Sequence, residues 1–303
     1  MDFNEIVKKV EETKDLTLDG LFDLWKEAQA VEEEWEKTTL VKDTWTKRDK
    51  LRKYFTADGI IDPNVYTNAS PKVLVVLKEP NVSDNKADDF FDDIGDHRVW
   101  YNEFVNGKYS PDEKRILFMN QENNLEKADN DLHQKELIGR MSFLLQNLIN
   151  TKKLDGMDPT AEQVQNALKG TAVMNLNKRG GGKSEDQDIF PVYCDKYNAF
   201  IRREIEVINP NVIIWCAGTV DYKEYVSQKV SIIPMYHTAY FQLSNTNKYL
   251  LKACDDCDLE LVLKDIANRV EDGDLAFNRN VAKYMLVFKE KVREALGEGS
   301  LSL

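Results

Sequence analysis

Positive charge is scarce in this chain. Its 41 Lys and Arg stand against 53 Asp and Glu, giving a formal net charge of −12 over 303 residues. An acidic body argues against broad non-specific nucleic-acid binding, which needs a basic footprint, while leaving room for a local basic groove. Histidine is scarcer still, with three: His97, His133 and His237. No apolar run reaches the roughly 18 residues of a membrane-spanning helix. The opening Met1-Asp2-Phe3-Asn4-Glu5 is acidic and lacks a basic and apolar leader, so a cytoplasmic protein with no membrane contact is expected. No internal repeat is visible.

Cysteine is also sparse, at four. Cys216 closes the apolar run Val212-Ile213-Ile214-Trp215-Cys216 and reads as core. Cys254-Asp255-Asp256-Cys257 is a lone C-x-x-C with no second pair at metal spacing. Half a metal site or a redox pair is one reading. Two unrelated thiols is the better one, because structural zinc takes four ligands. No metal or cofactor is expected.

What is present is an α/β pattern. Leu21, Phe22, Leu24, Trp25, Ala28, Val31 and Trp35 recur at helix spacing, so residues 1–65 read as a helical extension. A further helix over Val41–Phe55 carries Lys47, Arg48, Lys50, Arg52 and Lys53, a solvated face or a polyanion contact. The continuous apolar runs Val73–Leu77, Thr171–Asn175, Val212–Cys216 and Val230–Pro234 suit strands buried on both faces of a parallel sheet. Helices are expected over Leu137–Leu148, Ile189–Val207 and Asn278–Leu296. Residues 81–133 are polar, irregular and rich in Asp and Asn. The spacing therefore predicts a three-layer α/β/α domain over residues 66–270 with a mostly parallel central sheet, and a C-terminal helix within 271–303 packed on it.

The segment Asn175-Leu176-Asn177-Lys178-Arg179-Gly180-Gly181-Gly182-Lys183-Ser184 follows the second parallel strand. Clustered glycines let backbone N–H groups approach a phosphate, and three cations stand among them. A triphosphate-binding loop would need glycine five positions before Gly182-Lys183, where the chain has Asn177. Lys178, Arg179, Gly180, Gly181, Gly182, Lys183 and Ser184 are therefore expected to hold phosphates of another kind of ligand. Three strand ends share the edge where open α/β sheets bind ligands: Leu77-Lys78-Glu79-Pro80-Asn81, Asn175-Leu176-Asn177-Lys178 and Met235-Tyr236-His237-Thr238-Ala239.

In this order and spacing the chain resembles the uracil-DNA glycosylase superfamily. There an apolar strand ends in an Asp or Asn before a proline, a later strand ends in a base-reading asparagine, and the last ends in a histidine. Glu79 before Pro80, Asn175 and His237 match in order. Between them, Asn175-x-x-Lys178, the Gly-rich loop, a helix with Cys194, Ile208-Asn209-Pro210 and Val212–Gly218 follow the order of the iron–sulfur type. The resemblance covers residues 71–245. The chain departs from it at Leu77-Lys78, where glycine is usual, at Glu79 in place of the shorter acid, and at Thr238-Ala239 in place of Pro-Ser. Its cysteines are not placed like the cluster-binding set, so no cluster is expected.

The resemblance implies a glycosylase-like fold and cleavage of the N-glycosidic bond of a flipped, modified or non-uracil base in DNA. Glu79 would orient water and stabilise the oxocarbenium-like state, and His237 would bond the departing base. Asn175 would read the pairing edge, with Phe90, Phe91 or Trp100 stacking on the ring. Tyr240 or Phe241 would wedge into the base stack. The alternatives are a glycosylase-fold protein that binds nucleic acid or a partner without chemistry, and an N-glycosidase of free nucleotides.

Overall fold

The structure of the chain, a computed structural model, describes residues 1–33, 35, 55–80, 96–106, 130–151, 159–179, 189–226, 229–238 and 279–296. Within these ranges lie α1 (Phe3–Glu12), α2 (Leu18–Val31), β1 (Gly59–Ile60), α3 (Pro63–Thr67), β2 (Val73–Leu77), α4 (His97–Val105), α5 (Asn130–Thr151) and α6 (Ala161–Lys169). They are followed by β3 (Thr171–Asn175), α7 (Ile189–Lys196), α8 (Asn198–Ile208), β4 (Val212–Trp215), β5 (Ser231–Pro234) and α9 (Arg279–Leu296).

The strands form one five-stranded sheet in the order β1-β3-β2-β4-β5. The last four are mutually parallel, with Leu77 beside Asn175, Val76 beside Trp215, and Trp215 beside Pro234. β1 pairs antiparallel with β3 at the edge. Every residue of β2, β3 and β4 is buried, which is why these strands read as unbroken apolar runs. Successive side chains point to opposite faces. Val73, Val75, Leu77, Val173, Ile214, Cys216, Ile233 and Met235 join one core with residues of α4, α5 and α9. Leu74, Val76, Ala172, Met174, Leu176, Ile213, Trp215 and Ala217 join the other with residues of α1, α2, α7 and α8. Each buried Val, Leu or Ile contributes about 1.5–3 kcal/mol, so the sheet centre is held by apolar contacts and polar chemistry falls to the strand ends. A mixed α/β protein with a mostly parallel sheet results, compatible with a three-layer α/β/α arrangement.

Local signals set the helix ends. Asp2 and Glu5 form a reciprocal capping box on α1, and Thr160 and Gln163 form another on α6. α5 and α6 cross closely at Gly139, where a Cβ would stand 2.6 Å from Cγ1 of Val164. Helix α8 ends at Asn209, whose φ of 50° is left-handed and stops the helix. No helix among the described residues is long and apolar enough to cross a membrane.

Several expectations need correction. Residues 55–60 are not helical. Phe55 bridges Arg179, Ala57 bridges Asp96, and β1 joins the sheet. Gly59 supports this path with a φ of 114°, which side-chain-bearing residues rarely adopt. The single helix expected over Ile189–Val207 is two, interrupted at Tyr197, and the helix expected over Leu137–Leu148 extends to Asn130–Thr151. The irregular segment 81–133 contains α4, which Asp96 starts by accepting from the backbone N–H of Arg98 at 2.9 Å. The expected helix at Val41–Phe55 lies outside the described residues apart from Phe55.

Candidate active site

The chain runs from β2 to β3 on one side, then crosses to β4 on the other side of β2. Beyond the carboxyl ends of β2 and β4 the connections diverge, and open α/β sheets bind ligands in the crevice this creates. Glu79 and Gly218 follow these two strands.

Pairing continues beyond the strands. The N–H of Asn177 donates to the Lys78 carbonyl at 2.9 Å, that of Cys216 to Val76 at 2.8 Å, and that of Met235 to Trp215 at 2.8 Å. Carried forward, the β2–β3 register sets Asn177 beside Glu79. Both share the parity of the α5-facing positions Leu77 and Val173. Side-chain contact bears this out: Nδ2 of Asn177 donates to Oε2 of Glu79 at 3.2 Å. The other end of that amide, Oδ1, accepts the backbone N–H of Arg179 at 2.9 Å. Both ends of Asn177 are thus engaged, and its orientation is fixed.

His237 is half-buried beyond β5. Burial lowers its pKa to about 4, and the positive charge of Lys78 pushes the same way. The imidazole is neutral near pH 7, able to donate one hydrogen bond and accept another. Nearby, the Tyr284 hydroxyl from α9 donates to the Tyr236 carbonyl at 2.6 Å and steadies the segment carrying His237.

Next to Asn177 lies a buried ionic cluster. Lys178, with no exposed surface, places its Nζ 2.5 Å from Oδ1 of Asp58 and 2.8 Å from Oε2 of Glu204. Its ammonium also stands 5.4 Å from the ring centroids of both Phe22 and Trp25. Asp58 accepts the backbone N–H of Asn175 at 2.7 Å and its side-chain amide at 3.1 Å. Burial raises the pKa of Glu204 well above the usual carboxylate range, Lys178 opposes the rise, and Asp58 adds to it. The cluster ties β1, the end of β3 and helix α8 together.

This arrangement revises two expected roles. Lys178, expected to hold phosphate, is instead enclosed between the carboxylates of Asp58 and Glu204 and lies against Phe22 and Trp25 of α2. Asn175, expected to read a base, is buried and directs its amide N–H to Asp58. Arg179 stays half-buried at the edge. Trp100, a stacking candidate, carries the Lys135 ammonium 3.5 Å from its ring centroid, with His97 at 5.6 Å and Tyr101 at 4.9 Å. His97, given no role from sequence, has a pKa lowered to about 4 by burial, with Asp58 and Asp96 pulling upward and Lys178 and Lys135 downward.

Phe90, Phe91, Gly180, Gly181, Gly182, Lys183, Ser184, Tyr240, Phe241, Cys254 and Cys257 lie outside the described residues. Sequence reasoning missed Asp58, Asn177 and Glu204. A signal existed for Glu204: it interrupts the apolar stripe Phe200, Ile201, Ile205, Ile208, and a charge on a buried stripe demands a partner. No protein-family model, curated protein or solved structure matches the chain.

Proposed function

We propose that the chain is an N-glycosidic hydrolase of uracil-DNA-glycosylase-like, three-layer fold, acting on a base flipped from DNA. The observation that carries the reading is a carboxylate braced by an amide just beyond β2 and a neutral imidazole just beyond β5, at the same carboxyl edge of the sheet. Breaking an N-glycosidic bond leaves positive charge on the sugar and negative charge on the base. Glu79 suits the first task, stabilising the sugar cation and orienting water toward the anomeric carbon. His237 suits the second: a neutral imidazole N–H donates to the base oxygen as charge develops there. Lys78, close enough to lower the His237 pKa, adds a positive field on the leaving-group side. Arg179 is the remaining described candidate for a flanking phosphate.

A second reading, an N-glycosidase of free nucleosides or nucleotides, is favoured by the burial of Lys178, which removes one phosphate contact from an already acidic protein. The test is base release from oligonucleotides carrying uracil, hypoxanthine or modified cytosines, run beside the free nucleosides and nucleotides. Abasic sites support the DNA reading, and release from monomers alone supports the second. Tight DNA binding without release indicates a binding protein and overturns both.

A further inference from the structure

β5 ends at Pro234, and Tyr236 and His237 follow outside any strand. There the chain meets α9. The Tyr284 hydroxyl donates to the Tyr236 carbonyl at 2.6 Å, and the Cys216 thiol shares a hydrogen bond with the same hydroxyl. A phenol has one proton to give, and the carbonyl takes it, so the thiol is the donor in the second contact. Both side chains are buried. Burial pushes the Cys216 thiol up to about 12 and the Tyr284 phenol well above its usual range, so both stay protonated and both bonds persist at neutral pH. Tyr284, Met285 and Phe288 seat α9 in the core that contains Cys216, Ile233 and Met235. One hydroxyl thereby joins the end of β4, the extension of β5 and α9.

We infer that Tyr284 is a positioning residue for His237, acting through the Tyr236 carbonyl. Its consequence for the reaction rests on the N-glycosidic reading. The Tyr236 carbonyl and the His237 N–H belong to one planar peptide unit. Pinning the oxygen therefore fixes the plane from which the His237 Cα departs. Only φ of His237 and its own side-chain torsions then separate that plane from the imidazole. A donor that meets developing charge must be held in place before the charge appears, and each torsion removed serves that end. Without the hydroxyl the carbonyl has to find another donor, and the peptide plane turns with it. Cys216 acts one bond further back, by steadying the hydroxyl.

The test compares Tyr284→Phe, which keeps the ring and removes the hydroxyl, with Phe288→Leu, which loosens the packing of α9 one turn along and leaves the hydroxyl in place. In the full chain, the ring resonances of His237 are followed by NMR, beside urea unfolding and base release from the oligonucleotide and nucleoside panel. Tyr284→Phe moves the His237 ring resonances and lowers kcat by about tenfold or more with KM little changed, the direction expected of a misplaced group. Phe288→Leu lowers the urea midpoint and leaves both kcat and the His237 ring as in wild type. A wild-type kcat or unmoved His237 ring resonances in Tyr284→Phe overturn the positioning role. So does an equal loss of kcat in the two variants, which would reduce Tyr284 to a stabilising contact. If wild type releases no base from any substrate, the hydrolase reading fails, and the His237 resonances of the two variants decide the positioning role by themselves.

Discussion

Nδ2 of Asn177 donates to Oε2 of Glu79 across 3.2 Å, linking the ends of two neighbouring parallel strands. The contact is reinforced from behind, because Oδ1 of the same amide accepts from the Arg179 backbone. The carboxylate proposed for catalysis is thus held in place by the strand that also carries the buried ionic cluster.

Asn177→Ala removes this brace and leaves the carboxylate free to rotate. Base release is expected to fall about a hundredfold in kcat, the scale of a misplacement near 1 Å, with KM little changed. Asn177→Gln restores part of the rate. Equal steady-state kinetics for wild type and Asn177→Ala would show that Glu79 is not positioned this way.

Lys178→Met leaves Asp58 and Glu204 buried beside one another without their shared cation. Removing one partner of a buried ion pair costs about 3–5 kcal/mol. The triple variant Lys178→Met, Asp58→Asn, Glu204→Gln recovers most of this loss, since no charge is stranded. Urea unfolding of the single and triple variants measures both, and a single variant as stable as wild type argues against the cluster.

His97 and His237 both have folded pKa values near 4 against an ordinary 6.5. Between these values the unfolded chain binds protons that the folded chain does not. Their contribution to stability is therefore complete above about pH 6.5 and lost as pH falls toward 4. His97→Gln and His237→Gln each flatten the fall in urea midpoint over that window. An unaltered slope in both variants contradicts their burial as neutral groups.

Glu204 carries the opposite sign. Its folded pKa lies above the unfolded one, so the folded chain binds the extra proton. This contribution is present below the ordinary carboxylate pKa and is lost as pH rises through the raised value. Glu204→Gln keeps a hydrogen-bonding group and removes the titration, so the variant loses less stability than wild type as pH is raised. Parallel pH profiles for the two proteins count against a raised Glu204.

The four parallel strands were legible because strands buried on both faces must be apolar throughout, and Val73–Leu77 and Thr171–Asn175 fall at their expected limits. β1 was not legible: two residues carry no periodicity, and its place depends on pairing with Val173 and Ala172, more than a hundred residues away. Glu79 and His237 could be placed at one edge from topology alone. The fate of Lys178 could not, since a lysine in a polar loop looks solvated until Asp58 and Glu204, distant in sequence, are brought to it. Asn177 drew notice from sequence only as a misfit in a phosphate loop. Strand alternation sets it level with Glu79 and two residues beyond Asn175, and that spacing decides which of the two amides meets the carboxylate.

The most direct test of the central claim is single-turnover abasic-site formation by wild type, Glu79→Ala, His237→Ala and the double variant, on an oligonucleotide panel of uracil, hypoxanthine and modified cytosines. The account predicts base release by wild type from at least one substrate, a loss of about a hundredfold or more in each single variant, and none detectable in the double. Full activity in the double variant would contradict it.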